Sequence, residues 1–204
     1  MQVATLEKQL RFLKEIDRLK AVIRQSPLLD GSRKENSAEH SWHLAMYALI
    51  LSEYANGTVN TNRVIQMLLL HDVVEIDAGD FPIHGGSSND MQAEQERSAA
   101  ARLFGLLPAS QGDAFLKLWQ EFEQAETDDA KFAKALDRFQ PLLINVFTNG
   151  GTWTENDVSL EQVLSRYGPA IQQGAPQLWA VCERWVTEHF SRQAPERHPI
   201  PSSE

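Results

Sequence analysis

Apolar residues recur at spacings of three and four along most of the chain, which is the period of an amphipathic helix. The first such pattern predicts a helix from about Thr5 to Arg24 that Pro27 ends, followed by a loop from Ser26 to Glu35. Sustained period-two alternation of β-branched residues, which indicates strands, is almost absent. The pattern therefore predicts an all-α protein.

The second helix carries a recognisable start signal. Asn36 stands three residues before Glu39, the spacing of a capping box, in which a short polar side chain and a carboxylate satisfy free backbone donors. This predicts a helix from about Ser37 that ends before Asn56-Gly57. The next helix, from about Thr61 to Ile76, is apolar on nearly all sides, so we expect it at the centre of a bundle.

The rest of the chain continues as helices and loops within one domain of residues 1–190. A loop rich in Gly, Pro and Ser covers residues 78–90, another loop covers 149–156, and the tail 191–204 contains prolines and is predicted to be disordered. A length of 204 residues suits a single compact domain. The predicted helices are Met91 to Leu106, Ser110 to Ala125, Asp128 to Thr148, Asp157 to Tyr167 and Ala175 to Phe190.

Charge and composition exclude several kinds of partner. The 19 basic and 28 acidic residues give a net charge of −9, which argues against binding a nucleic-acid polymer. A small anionic substrate remains compatible, because one metal ion and one arginine can reverse the local field. No apolar run approaches the ~18 residues of a membrane span, and the N-terminus does not resemble a secretory signal. With Cys182 as the lone cysteine, these features predict a cytoplasmic protein without a membrane partner.

An unusual polar pair lies inside the apolar third helix. His71 and Asp72 are adjacent there, and a buried aspartate is rare unless it is paired or bound to a metal. Glu75 follows one turn later on the same helix face. The short connection 56–61 sets the second and third helices antiparallel, which brings His40, and its neighbour His43, near the His-Asp pair. The pattern predicts a site built around an imidazole and two carboxylates.

A fourth ligand could come from Asp137, four residues before Pro141, which should kink its helix because proline has no N–H. Plainer alternatives stay open at this point. His40 could lie in solvent at a helix start, and Asp137 could pair with Lys134 or Arg138 on a wet helix face. Motifs for phosphate loops, dinucleotide binding, zinc proteases, serine hydrolases and di-iron bundles are absent. The sequence therefore favours a mononuclear His/Asp site.

Three segments carry a family resemblance: ENSAEHSWHLA (35–45), MLLLHDVVEIDAGD (67–80) and ALDRFQPLL (135–143). Over about residues 10–148 the chain resembles the HD-domain metal-dependent phosphohydrolases, and within them the branch that contains the 5′-deoxynucleotidases. The resemblance implies an HD-domain helical bundle with one divalent metal ion, which could be Mn, Co, Fe, Ni or Zn. The ligands that it implies are His40, His71, Asp72 and Asp137.

The resemblance also implies roles for other residues. Glu75 would orient or deprotonate the attacking water, or protonate the leaving oxygen, and Asp80 would contact the sugar and disfavour a 2′-hydroxyl. Either Arg24 or Arg33 would hold the phosphate. We further expect the loop 78–90 to close over the substrate, with His84 donating to phosphate or, alternatively, lying exposed in the loop.

Taken together, the sequence predicts a metal-dependent phosphomonoesterase that acts on (deoxy)nucleoside 5′-monophosphates. A homodimer is expected, because the segment QLWAVCERWVTEHF (177–190) has more apolar surface than one core contact needs and because the resembling family forms dimers. Two alternatives stay open. One is a non-catalytic domain that senses a nucleotide or metabolite and keeps the metal as a structural staple, and the other is a phosphodiesterase.

Overall fold

A computed structural model describes residues 2–81 and 89–193 of the chain. His84 and most of the predicted tail, residues 194–204, lie outside the described residues. Apart from one short hairpin, the described residues form helices, so the predicted all-α class is confirmed. No helix in these two ranges is both long and apolar enough to cross a membrane.

Ten helices and two strands follow one another in the described part of the chain, with short 3₁₀ turns at Asp17–Ala21, Ser52–Tyr54 and His71–Val74. The helices and strands, in chain order, are α1 (Gln2–Ile16), β1 (Ile23–Pro27), β2 (Lys34–Asn36), α2 (Ser37–Leu51), α3 (Thr61–Leu70), α4 (Glu75–Ala78), α5 (Asn89–Phe104), α6 (Ala109–Gln124), α7 (Asp128–Phe147), α8 (Gly151–Glu155), α9 (Leu160–Gly174) and α10 (Pro176–Gln193).

The N-terminal region differs from the prediction of one long helix. Helix α1 ends at Ile16, and the chain then forms an antiparallel hairpin in which Ile23 is opposite Asn36 and Pro27 is opposite Lys34. β-Branched residues favour extended backbone, and Pro27 cannot continue a helix, so the local sequence supports the strand. The strands have only five and three residues, which is too short for a clear period-two pattern. The hairpin matters for function because it places Arg24 on β1.

The predicted start of α2 is confirmed. The Asn36 side chain accepts from the Glu39 backbone N–H at 3.0 Å, and the Glu39 carboxylate accepts from the Asn36 N–H at 3.1 Å. This capping box fixes the first turn of α2, in which His40 lies. The cap therefore holds a predicted site residue at a defined place against the hairpin.

The predicted central helix is interrupted at the His-Asp pair. Helix α3 ends at Leu70, and residues His71–Val74 form a 3₁₀ turn before α4 resumes at Glu75. The His71 ring donates to the Leu68 carbonyl at 2.8 Å, an acceptor that residue 72 would use if the α-helix continued. Such tightened turns inside helices are frequent at functional sites.

Helix α7 lies at the centre of the bundle, where it packs against α2, α3, α6, α9 and α10. Pro141 stands inside this continuous helix of 20 residues, where its carbonyl accepts from the Asn145 side chain at 2.9 Å. The prediction of a loop over 149–156 is wrong, because α8 occupies most of it. Helix α9 runs on to Gly174 rather than ending at Tyr167.

The C-terminal helix does not provide the exposed apolar surface on which the dimer prediction was based. In α10 the side chains of Leu178, Trp179, Cys182 and Val186 are buried in the core. Large exposed apolar side chains lie instead on α1 and α2; they are Val3, Leu6, Leu10, Leu13, Trp42, Leu49 and Ile50.

Candidate metal centre and adjoining cavity

Two histidines from different helices meet in the interior of the protein. The rings of His40, in the first turn of α2, and His71, in the 3₁₀ turn, have centroids 5.6 Å apart. With Asp72 they form a buried group whose candidate ligand atoms all lie within 4.8 Å of one another. The short connection between α2 and α3 produces this meeting, as the sequence predicts.

Helix α7 brings a further carboxylate to the same place. Asp137 Oδ1 lies 3.1 Å from His40 Nε2 and 3.5 Å from His71 Nε2. The alternative of a solvent-exposed His40 is wrong, because this side chain has 0% exposure. Asp137 does pair with Arg138, through its other oxygen at 3.1 Å, but at a buried position rather than on a wet helix face. The structure thus brings together the four predicted ligands.

Contacts at Nδ1, on the side of the ring away from the centre, fix the orientation of both imidazoles. His71 Nδ1 lies 2.8 Å from the Leu68 carbonyl, and His40 Nδ1 lies 3.1 Å from Gln140 Oε1. Because both oxygens can only accept, each Nδ1 carries a proton, and each Nε2 faces the carboxylates of the centre. The Gln140 amide in turn donates to Glu35 Oε2 at 3.1 Å. Such outer hydrogen bonds are typical of metal-binding histidines.

Charges around the centre favour a cation between the carboxylates. Burial lowers the pKa of His71, but Asp72 and Asp137 outweigh burial and raise it to about 10. Burial together with Arg24 lowers the pKa of His40 to about 4. Burial would raise the pKa of Asp72, yet His71 and Arg24 lower it to about 2. The carboxylates therefore stay ionised and create a strongly negative interior position.

The donor set fits a divalent metal ion. Within the described residues His71 Nε2 is buried and makes no hydrogen bond of good geometry, although Asp72 Oδ1 lies 2.9 Å away. A buried polar atom without a partner is costly in an ordinary core. Two imidazole nitrogens with two carboxylate oxygens suit first-row divalent metals, and the carboxylates supply the compensating charge.

Arg24 lies beside this centre, and carboxylates surround it. Its Nη1 lies 3.1 Å from Asp72 Oδ2, 3.5 Å from Asp80 Oδ1 and 3.8 Å from Glu75 Oε1. Its Nε lies 3.4 Å from Glu35 Oε1. Four carboxylates therefore share one guanidinium. These ion pairs connect β1, β2, the 3₁₀ turn and α4 in one electrostatic network.

Glu75 and Asp80 face the same space. Ser37 Oγ donates to Glu75 Oε2 at 2.6 Å. Burial and the neighbouring Asp72 raise the pKa of Glu75 to about 9, against the opposing effect of Arg24. Burial is also the largest cause of the raised pKa of Asp80, whose carboxylate accepts from the Gln25 backbone.

These groups open onto a cavity of about 280 Å³. One set of lining residues comes from the hairpin, the 3₁₀ turn and the segment around α4. A second set comes from α5 to α7, and a third from α8 and α9. The polar and charged members are Arg24, Gln25, Ser26, His71, Asp72, Glu75, Asp80, Gln92, Glu96, Glu123, Lys134, Asp137, Arg138, Thr152, Asn156 and Tyr167.

Comparison with known proteins identifies the family. The HD domain model matches residues 16–179. The chain belongs to the HD domain family. It is 50% identical to the solved structure of a predicted metal-dependent phosphohydrolase from Magnetospirillum magnetotacticum MS-1, with a TM-score of 0.88 over 93% of this chain and 94% of that chain. The resemblance stated from the sequence is thus confirmed.

Curated relatives of this HD domain protein include two nucleotidases. It is 28% identical over 135 residues to the 5′-deoxynucleotidase HDDC2 of Mus musculus, a match that spans 66% of each protein, just under two thirds. It is 29% identical over 168 residues to the 5′-deoxynucleotidase of Citrobacter koseri, with 78% of this chain and 84% of that protein covered.

Some of the predicted site residues do not line the cavity of this HD domain. Arg33 is exposed and binds Glu39 through both of its terminal nitrogens, at 2.8 and 2.6 Å, so of these two predicted arginines Arg24 is the one that lines the cavity. His43 is half-buried and contacts Gln140 at 3.4 Å, away from the cavity lining. His84 lies outside the described residues.

Other residues of the site were missed by sequence reasoning. Glu35 is almost fully buried, yet it directly precedes a helix cap and therefore looks like an ordinary loop residue. Gln140 follows Asp137 by three residues, and this helical spacing is the signal that could have placed it on the same helix face. Arg138 drew attention only as a partner for Asp137. Thr152 and Tyr167 carry no signal, because they come from helices whose bounds were predicted incorrectly.

Proposed function

We propose that this protein is a divalent-metal-dependent phosphohydrolase that acts on nucleoside 5′-monophosphates, with preference for deoxyribose. The observation that carries the proposal is the convergence of His40, His71, Asp72 and Asp137, the last three of which line a cavity together with Arg24. The names of its relatives, a metal-dependent phosphohydrolase and 5′-deoxynucleotidases, support the same chemistry and indicate nucleotides as the substrate class.

The four convergent side chains are proposed as ligands of one metal ion. When bound, Mn²⁺, Co²⁺, Fe²⁺, Ni²⁺ or Zn²⁺ would supply Lewis acidity and lower the pKa of a water molecule. Contacts within the protein already arrange the side chains around the proposed metal position. Leu68 and Gln140 hold the two rings with Nε2 inward, and the two ionised aspartates balance the charge of a cation.

Glu75 is proposed to handle the proton of the reaction. Its Oε2 is held by Ser37 Oγ, and its Oε1 is near Arg24, so the carboxyl group has a fixed position in the cavity. From there it can orient or deprotonate the attacking water, or protonate the leaving oxygen of the nucleoside. Fixed placement of such a group and of the substrate phosphate is a large part of catalysis in phosphoryl transfer.

Arg24 and Asp80 are proposed to contact substrate. The Arg24 guanidinium would hold phosphoryl oxygens, since it is buried at the floor of the cavity beside the ligands. Asp80, held by the Gln25 backbone, would contact the sugar and disfavour a 2′-hydroxyl. Outside the described residues, His84 remains proposed as a donor to phosphate.

Metal analysis combined with a phosphate-release screen tests this function. Purified protein loaded in turn with each of the five metals should bind about one equivalent. It should also release phosphate from deoxyribonucleoside monophosphates faster than from the matched ribonucleotides. Phosphate release from no monophosphate, despite bound metal, would favour the sensing domain, and activity restricted to cyclic or dinucleotides would favour the phosphodiesterase.

We also propose that the protein is a homodimer. The exposed apolar side chains of α1 and α2 support this, since monomers rarely expose such stripes. Light scattering should give about twice the chain mass of 23.0 kDa, whereas a value near the chain mass at micromolar concentration would contradict the proposal.

A further inference from the structure

Three cationic side chains line the cavity, and two of them have more than one close partner there. Arg24 is within 3.8 Å of Asp72, Asp80 and Glu75, and its Nε faces Glu35. Its positive charge is therefore shared among several carboxylates before any substrate arrives. An anion that entered the cavity would meet little free positive charge at Arg24 alone.

Lys134 is similarly engaged. Its Nζ donates to Glu123 Oε1 at 2.8 Å and lies 4.0 Å from the centroid of the Phe122 ring. An ion pair and a cation–π contact together hold this ammonium at the cavity wall. The positive charge of Lys134 is thus already compensated by these contacts.

Arg138 is the exception among the three. Its Nη1 donates to Asp137 Oδ2 at 3.1 Å, and within residues 2–81 and 89–193 its side chain makes no other hydrogen bond or ion pair. The side chain is 35% exposed and lines the cavity. Most of the guanidinium donors are therefore available to a ligand.

Neutral groups near it are already committed within the fold. Thr152 Oγ donates to Asn145 Oδ1 at 2.9 Å, and Asn156 Nδ2 donates to the Thr152 carbonyl at 2.8 Å. The walls that α8 contributes are thus internally hydrogen-bonded and offer few donors to an anion. Among the cationic side chains of the cavity, Arg138 is the one with most of its donors unused in the described residues.

The position of Arg138 relates it directly to the metal centre. It binds the outer oxygen of Asp137, whose inner oxygen faces His40 and His71. One carboxylate therefore separates the guanidinium from the centre. An anionic group held at the centre and extending into the cavity comes within reach of the Arg138 fork.

We propose that Arg138 is a substrate-binding residue that holds the phosphoryl group at the centre, in addition to Arg24. The ligand class is a phosphate dianion, because the planar guanidinium fork matches two phosphoryl oxygens and its charge is the least compensated in the cavity. The inference rests on the proposed phosphohydrolase function for the nature of the anion.

Binding of inorganic phosphate to the metal-loaded protein, measured by calorimetry, tests this role. Arg138→Gln should weaken phosphate binding by about 10- to 100-fold, the range for losing a hydrogen bond to a charged group, with unchanged metal content. Arg138→Lys, which keeps the charge and loses the fork, should give an intermediate affinity. Arg97→Gln serves as the matched control, because Arg97 is an exposed arginine on α5 that pairs with Glu94 and does not line the cavity.

Hydrolysis kinetics give the second readout. In Arg138→Gln the KM for a nucleoside monophosphate should rise more than kcat falls, since the lost contact is made in the ground state as well. Unchanged phosphate affinity in Arg138→Gln, or wild-type protein that binds no phosphate, would overturn the inference. Loss of metal from this variant would also overturn it and would assign Arg138 as a clamp on Asp137.

The outcomes separate this inference from the proposed function. If phosphate binds through Arg138 but no monophosphate is hydrolysed, the anion site stands and the phosphohydrolase proposal fails. If Arg138→Gln hydrolyses monophosphates with the wild-type KM, the proposed function stands and the role of Arg138 fails.

Discussion

Two walls of the same cavity are built on opposite principles. The carboxylate wall, made of Arg24, Asp72, Glu75 and Asp80, places several negative groups around one guanidinium, so that each side chain positions the others. The C-terminal wall, made of Arg138, Thr152, Asn156 and Tyr167, combines neutral groups with one arginine that has a single carboxylate partner.

The difference indicates a division of labour. Groups in the carboxylate wall are buried and mutually dependent, so a change there disturbs metal binding and chemistry together. A change in the C-terminal wall does not touch the side chains around Arg24, so we expect it to alter mainly what the cavity holds. Variants that disturb one wall and spare the other can therefore test whether the two walls have different roles.

The largest effect is expected from removing Asp72, the carboxylate that contacts both the proposed ligand His71 and the guanidinium of Arg24. Asp72 lies 2.9 Å from His71 Nε2 and 3.1 Å from Arg24 Nη1, so Asp72→Ala removes the nearest carboxylate from both groups. We expect loss of stoichiometric metal and destabilisation of about 3–5 kcal/mol, as for breaking a buried ion pair. Metal analysis and denaturant unfolding measure these effects.

Asp113→Ala, which changes an exposed aspartate on α6, is the control and should leave metal content and stability unchanged. If Asp72→Ala retains one equivalent of metal, Asp72 is not a ligand, and the carboxylate wall is only an ion-pair network.

A second variant separates chemistry from metal binding within the same wall. Glu75→Gln keeps the shape of the side chain and an oxygen that can accept from Ser37 Oγ, so folding and metal content should survive. Turnover should fall by about 10²- to 10⁴-fold, the usual range for losing a positioned acid–base group. Steady-state kinetics with metal analysis check this, and full turnover with bound metal would remove Glu75 from the mechanism.

The two walls also differ in how far the sequence predicts them. Asp72, Glu75 and Asp80 fall within nine consecutive residues, where local spacing is enough to place them on one side of a helix and its following loop. Buried charge in an apolar segment is itself a signal, because such a residue needs compensation. Even there, the 3₁₀ turn that aims His71 depends on a ring-to-backbone hydrogen bond that the sequence pattern does not reveal.

The C-terminal wall had no comparable signal. Arg138, Thr152 and Tyr167 come from three helices, and their meeting depends on how α8 and α9 pack against α7. The bounds of those helices were predicted incorrectly, and nothing local marks a threonine or tyrosine that lines a cavity. Arg24 is an intermediate case. The sequence indicated Arg24 as a candidate to hold phosphate, but it did not predict the strand that carries this residue.

A smaller effect is expected behind the metal centre. Gln140→Leu removes the oxygen that accepts from His40 Nδ1, so the ring loses its fixed orientation. Metal affinity should fall by about 10- to 100-fold, as for other outer partners of metal-binding histidines. Competition with a chelator of known affinity measures it. Glu35→Gln, whose contact with His40 is longer at 3.6 Å, should weaken binding less, and wild-type affinity in both variants would contradict this role.

The smallest effect, on the edge of the carboxylate wall, concerns which sugar is accepted. The Asp80 carboxylate lines the cavity and lies 3.5 Å from Arg24 Nη1. Asp80→Asn preserves size but replaces one acceptor oxygen by a donor, which a 2′-hydroxyl can accommodate. The ratio of deoxyribonucleotide to ribonucleotide kcat/KM should therefore drop by about 10-fold, within the range that a few contacts supply. The best rate should change less than this ratio, because Asp80 is proposed to contact the sugar rather than the phosphorus. Matched nucleotide pairs assayed with both proteins decide the matter: equal losses on both sugars would mean that Asp80 serves the charge network around Arg24 and does not select the substrate.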